Sequence, residues 1–267
     1  MRRFVALFLL AISPVWAGGA LYFDGTNDWY TCGNYDMNIS EEQVSIMAFV
    51  TPDFDSTSGT SRGIIGNFDA TGCLNGFSLR WRTASKSFYI QVARRTDLGA
   101  CPPNPPQSVI CSAPLAFSAG DLIGVYALTI NQEQYLEAYN FTTATAATQC
   151  FSSLQTLDIA NSTRELTVGW DNCPGCATGP WLGKIHMIIL ATGQGKNSNI
   201  WQLPGLTKKR FFPQWTGTLD GTGSAPAASM DGVWFFESEG ATLQTLAGGL
   251  TCTKVGNPTP VGSEMQP

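Results

Sequence analysis

The chain has 267 residues, of which 13% are charged and 11% aromatic, with 28 glycines and 15 prolines. A formal net charge of −5 from 15 basic and 20 acidic side chains would repel a phosphate backbone and excludes nucleic acid as an expected partner. Few charges and many turn formers speak against a helical bundle and for short strands joined by tight turns, and the length suits one large all-β domain.

The chain opens with Met1-Arg2-Arg3, an apolar run from Phe4 to Ile12 and Val15-Trp16-Ala17 ahead of Gly18, the three-part grammar of a secretory signal peptide cleaved after Ala17. That run is short for a bilayer and no later stretch is long enough, so the mature chain is expected to carry no transmembrane segment. Residues 18–215 are expected to form the β-domain. Strand character recurs at 20–23, 44–50, 63–66, 77–81, 88–92, 108–111, 122–130, 135–139, 166–170 and 185–191. Turn clusters such as Asp24-Gly25-Thr26-Asn27-Asp28, Asp55-Ser56-Thr57-Ser58-Gly59 and Asp69-Ala70-Thr71-Gly72 separate them. The spacing suits an antiparallel β-sandwich. A short helix is expected at 199–203 or 206–211, followed by a loop over 216–230. Residues 216–267 read as a glycine-rich linker and a strand-bearing tail, with completion of the same sandwich and a separate unit both open. No repeat of 20 to 50 residues runs along the chain, which excludes solenoids and propellers.

Cys32, Cys73, Cys101, Cys111, Cys150, Cys173, Cys176 and Cys252 form an even set, and export would place them where disulfides persist. Cys101 and Cys111 bracket Pro102-Pro103-Asn104-Pro105-Pro106, so a bridge between them would tie off a loop that cannot pair into a sheet. Cys173-Pro174-Gly175-Cys176 has the spacing of a redox dithiol or half a zinc site. With no βαβ pattern around it and no second close cysteine pair, it reads as a structural loop disulfide.

The run Ala20-Leu21-Tyr22-Phe23-Asp24-Gly25-Thr26-Asn27-Asp28-Trp29 resembles the opening strand of the laminin G-like branch of the concanavalin A-like jelly rolls. Val44 to Pro52, Gly63-Ile64-Ile65-Gly66-Asn67 and Gly76-Phe77-Ser78-Leu79-Arg80 resemble the strands that follow. Leu166-Thr167-Val168-Gly169 and the run Gly183 to Leu190 are similar to the closing strands, although His186 stands where the family usually has an acid. Gly232 to Leu243 resembles a segment that relatives carry ahead of the first strand. The resemblance covers residues 19–205 and implies a jelly-roll sandwich with glycan or surface binding.

Polysaccharide cleavage on such a sandwich needs two carboxylates on one face of a groove. The nearest pairs, Glu133 with Glu137 and Glu237 with Glu239, read as exposed strand charges. His186 is the single histidine and lies in an apolar strand, with Ile185, Met187 and Ile189 expected on one face and Ile188 and Leu190 on the other. No Gly-x-Ser-x-Gly elbow accompanies it, so triad catalysis is excluded. Calcium is a candidate ligand through Asp24, Asn27, Asp28, Asp69 and Asp171, with Asp24, Asp28 and Asp171 the leading oxygen donors, although turn chemistry accounts for most of them. For sugar recognition, Trp170-Asp171-Asn172 and Trp181 combine aromatic faces with an amide and a carboxylate in one loop, and Trp29, Trp201 and Trp215 would extend that surface. Asn38, Asn140 and Asn161 each head an N-glycosylation pattern. The leading expectation is an exported, non-catalytic module that binds a glycan or a surface protein. The alternatives are a self-assembling component of a virion, fibre or cell-surface layer, and a polysaccharide hydrolase or lyase.

Overall fold

The computed structural model describes residues 19–35, 43–69, 75–95, 107–130, 133–147, 150–153, 158–159, 162, 164–173, 176–192, 232–235, 242–244 and 250–262. Alternation of apolar and polar residues gives each strand one face for a core and one for the outside, and two sheets close over a shared interior. From edge to edge the first sheet runs Thr145–Ala146 (β10), Glu133–Asn140 (β9), Ile123–Ile130 (β8), Gln43–Pro52 (β3), Leu182–Thr192 (β15), Gly19–Asp24 (β1) and Thr259–Gly262 (β19). Cys150–Ser153 (β11) also pairs with β9, and Gly232–Phe235 (β16) with β15. The second sheet runs Asp158–Ile159 (β12), Ser87–Arg95 (β6), Phe77–Arg82 (β5), Ser61–Gly66 (β4), Glu165–Val168 (β13), Trp29–Asn34 (β2), Thr251–Val255 (β18) and Thr242–Gln244 (β17). Gln107–Pro114 (β7) flanks β6, and Thr178–Gly179 (β14) lies parallel to β4, the other strand pairs being antiparallel. The fold is therefore an all-β antiparallel sandwich, and the described residues contain no helix.

Each of the ten strands expected from the sequence falls on an observed one. The strand β2 was not foreseen, because turn residues on both sides leave only Trp-Tyr-Thr-Cys to show alternation. The tail contributes to both sheets: β18 pairs with β2 and β19 with β1. A disulfide between Cys32 and Cys252 ties β2 to β18 across 220 residues of chain. None of the described cysteines is free. Residues 1–17, Cys73, Cys101, the helix expected at 199–203 or 206–211 and the loop at 216–230 lie outside the described residues. The same holds for the side chains of Cys111 and Cys150, whose backbones belong to β7 and β11.

The interior is filled by Val44, Ile46, Ala48 and Val50 from β3, Phe77, Leu79 and Trp81 from β5, and Phe88, Ile90 and Val92 from β6. At one end Trp81, Phe88, Phe117, Phe54 and Trp181 meet ring to ring at 4.7 to 6.0 Å, mostly edge to face, the arrangement that aromatic quadrupoles favour. The expected facing of β15 needs correction. Ile185 pairs with Val50 and Met187 with Phe49, so His186 is the extra residue of a β-bulge. The bulge switches the alternation, and Ile185, Ile188 and Leu190 face the core together. His186, 1% exposed, shares a 2.9 Å hydrogen bond with the Thr51 hydroxyl, which gives its Nε2 a partner inside the protein.

The bridge closing 220 residues removes much of the freedom of the unfolded chain. Replacing Cys32 and Cys252 together by serine is expected to lower the unfolding free energy by about 2–5 kcal/mol, measured by urea titration.

Candidate functional site

The outward face of the second sheet carries the buried polar side chains Ser78, Arg80 and Gln91, and a loop folds across it. The strand β13 ends at Val168. Gly169 then adopts φ +87°, and a Cβ there would come within 2.4 Å of the Phe23 ring, so only glycine takes the chain past the core at this point. The next residues cross β4 at Gly63, where a Cβ would lie 2.3 Å from the Asp171 backbone nitrogen. The absent side chain lets the loop lie directly on the strand.

Under this loop Asp171 is 0% exposed. Its Oδ2 accepts hydrogen bonds from the Ser78 hydroxyl at 2.8 Å and from Arg80 Nη1 at 3.1 Å, and its Oδ1 accepts one from the Thr178 hydroxyl at 2.7 Å. Arg80 also donates to Gln91 Oε1. Further along, the Cys173–Cys176 disulfide packs with Phe68 and Ala93, in agreement with a structural reading of the Cys-x-x-Cys spacing. The carboxylate is saturated by donors and shut away from water, as a buried charge must be to persist.

The neighbours of Asp171 lie toward the surface. Trp170 rests half-buried against Trp29, with ring centroids 5.1 Å apart and planes tilted by 49°. Asn172, in the left-handed region at φ 43°, donates from its amide to the Glu165 carbonyl at 2.9 Å. Thr31 donates to the Glu165 carboxylate at 2.6 Å. On β18, Val255 stands opposite Trp29 and Thr253 opposite Thr31. The Thr167 hydroxyl reaches the carbonyl of Trp170 at 3.0 Å and pins the start of the loop. Arg62 donates to the carbonyls of Gly25 and Pro180, joining the turn before Trp29 to the end of the loop. Burial pulls the pKa of that guanidinium down, while Asp24 holds it up. The result is an aromatic pair edged by Thr31, Glu165 and Asn172.

Of the five residues singled out for sugar recognition, Trp29, Trp170 and Asn172 come together here, and two need correction. Trp181 is 0% exposed, sits edge-on to Phe54 at 5.4 Å and donates to the Lys184 carbonyl. It is a core residue, because the chain has already turned inward toward β15. Asp171 faces the sheet rather than a ligand, because Arg80 and Ser78 on β5 claim its carboxylate. Trp201 and Trp215 lie outside the described residues. Thr31 and Glu165 were not singled out in the sequence: they meet only across the β2–β13 pair, 134 residues apart in the chain, which no local pattern reveals.

The carboxylates named as calcium donors have partners within the protein. Asp24 Oδ1 accepts the backbone N–H groups of Thr26 and Asn27, and Asp28 accepts those of Asp24 and Asn257. Asp69 is ion-paired with Arg164, and Asp171 with Arg80. Among the described residues no three His, Cys, Asp or Glu side chains converge. Glu137 is half-buried on the outward face of β9, opposite Tyr126. The side chain of Glu133 and the pair Glu237 and Glu239 lie outside the described residues. Asn140 is fully buried, its amide donating to Asp121 at 2.7 Å and its carbonyl oxygen accepting from Thr142 and Thr143. Asn38 and Asn161 lie outside the described residues.

No family model matches the chain. No curated protein matches it either. Among solved structures, it resembles the LG1-3 region of the laminin α2 chain at 10% identity, over 65% of this chain and 31% of that one, with a TM-score of 0.46. It also resembles the CBM40 of a Ruminococcus gnavus sialidase at 12% identity, over 64% of this chain and 88% of that one, with a TM-score of 0.39. The enzymatically active domain of tailspike protein 2 of bacteriophage CBA120 is matched at 15% identity over 67% of this chain, with a TM-score of 0.40. The chain spans 25% of that tailspike chain. These are likenesses of the β-sandwich, shared by jelly rolls with a domain of laminin G type among them. Among the described residues no helix is long and apolar enough to cross a membrane.

Two outcomes follow from this geometry. Asp171→Asn leaves Arg80 buried without its counter-charge and is expected to cost about 3–5 kcal/mol of stability, read from the denaturant midpoint. Chain recovered from a glycosylating host should carry no glycan at Asn140, checked by mass spectrometry of the peptide that contains it.

Proposed function

We propose that this chain is an exported module that binds glycans, free or displayed on a surface, and carries out no chemistry on them. The observation that supports this reading is the half-buried Trp29–Trp170 pair beside Thr31, Glu165 and Asn172. The apolar face of a pyranose gains from lying on an indole, while its hydroxyls need hydrogen-bonding groups alongside. Both kinds of group are present within one patch. The patch is also held rigid from below by the Asp171 network, so binding does not have to order it. Two disulfides among the described residues agree with an oxidising, extracellular compartment. The protein partner of a surface-binding reading would be met through its glycans.

Affinity electrophoresis against a panel of polysaccharides tests the site. Trp29→Ala and Trp170→Ala are each expected to weaken binding about tenfold or more, the usual scale for truncating a tryptophan at the centre of a contact. Binding unchanged in both variants would remove the patch as the site. Release of reducing ends from any polymer of the panel by the wild-type chain would overturn the non-catalytic part.

A further inference from the structure

The same outward face carries a second group of side chains, beyond the 170–180 loop as seen from Trp29. The strand β5 presents Ser78, Arg80 and Arg82 outward, and β6 presents Tyr89 and Gln91, with Arg80 opposite Tyr89 in the register. Two guanidinium groups lie against the Tyr89 ring: Arg80 Cζ is 4.9 Å from its centroid and Arg82 Cζ 5.2 Å. The ring itself belongs to a residue only 3% exposed.

The two cations have different circumstances. Arg80 is buried, ion-paired with Asp171 and bonded to Gln91, so its charge is spent inside the protein. Arg82 is exposed, and no carboxylate of the described residues lies within 4 Å of it. Lys86, exposed in the turn between β5 and β6, is likewise without an ion pair among the described residues. This corner is therefore locally positive on a chain whose net charge is −5. Arg80 and Arg82 sit two residues apart on one strand face, about 7 Å, and only one of them is neutralised from within.

An exposed arginine ordinarily moves freely and loses that freedom on binding. Here the guanidinium stacks on an aromatic ring while the residue stays exposed, a restraint that suits the two-pronged recognition of a carboxylate or sulfate. From β2 to β5 the sheet passes through β13 and β4, three interstrand steps or roughly 14 Å. That span exceeds a single sugar ring.

We infer that Arg82, stacked on Tyr89, is an anion-recognising subsite, and that the glycan taken by this face is an acidic oligosaccharide or polysaccharide with a carboxylate or sulfate on Arg82 and sugar rings on Trp29 and Trp170. The inference rests on the glycan-binding reading above and names the substrate class.

The test compares polygalacturonate, a sulfated polysaccharide and an uncharged glucan as probes by titration calorimetry, for wild type, Arg82→Gln, Arg82→Lys and Trp170→Ala. The acidic polymers should bind the wild type at least fivefold more tightly than the glucan at low salt, with the advantage shrinking as salt rises. Arg82→Gln should lose at least fivefold toward the acidic polymers and leave the glucan unchanged. Arg82→Lys should recover only part, because an ammonium lacks the planar pair of donors. Acidic polymers bound no more tightly than the glucan, an Arg82→Gln effect that is absent or equal for all probes, or full rescue by lysine would each overturn the subsite. Loss of acidic-polymer binding in Arg82→Gln but not in Trp170→Ala supports the subsite and removes the tryptophan platform. Glucan binding that depends on Trp170 with acidic binding indifferent to Arg82 does the reverse.

Discussion

A single carboxylate without contact with water organises the outer face of the second sheet. Asp171 is bound by Ser78 and Arg80 from β5 and by Thr178 from the returning end of its own loop. A charge in that position persists only where its donors saturate it, so the loop has one seat on the sheet. That seat determines where everything adjacent to it goes. Trp170, one residue earlier, is placed against Trp29, and Asn172, one residue later, against Glu165. Arg80, in turn, is held over Tyr89, with Arg82 on the same ring. The buried ion pair thus lies between the aromatic pair on one side and the Tyr89 ring on the other.

The sandwich beneath supplies the rigid support. Its interior is continuous across both sheets, and the aromatic cluster of Trp81, Phe117, Phe54 and Trp181 fills the end from which the loop returns. The tail closes each sheet at the same edge, with β18 beside β2 and β19 beside β1. Because Trp29 lies between β13 and β18, residues near the end of the chain form part of the wall of the candidate site. The Cys32–Cys252 bridge holds that wall one strand away from the platform.

The outer face divides its polar groups between protein partners and solvent. The carboxylates on this face accept hydrogen bonds from protein donors: Glu165 from Thr31, Asp171 from three side chains. Beside them lie the half-buried Trp29–Trp170 pair and the exposed guanidinium of Arg82.

Much of the fold was legible in the residues alone, because alternation with period two and glycine-rich turns are local signals, and the ten expected strands rest on them. The residue Asp24-Gly25 turn and the disulfide role of Cys173 and Cys176 were legible for the same reason. Other features depended on partners distant in sequence. No local pattern distinguishes Trp170 from Trp181, yet one rests at the surface on Trp29 and the other fills the core. Nothing near Asp171 announces that Arg80, 91 residues earlier, will claim its charge. The bulge at His186 inverts the facing of its neighbours only because β3 pairs in that register. Local composition thus determined which segments become strands, turns and a closed loop. The meeting of strands from opposite ends of the chain decided which side chains are buried and which face outward, since burial and charge pairing are properties of the assembled sheets.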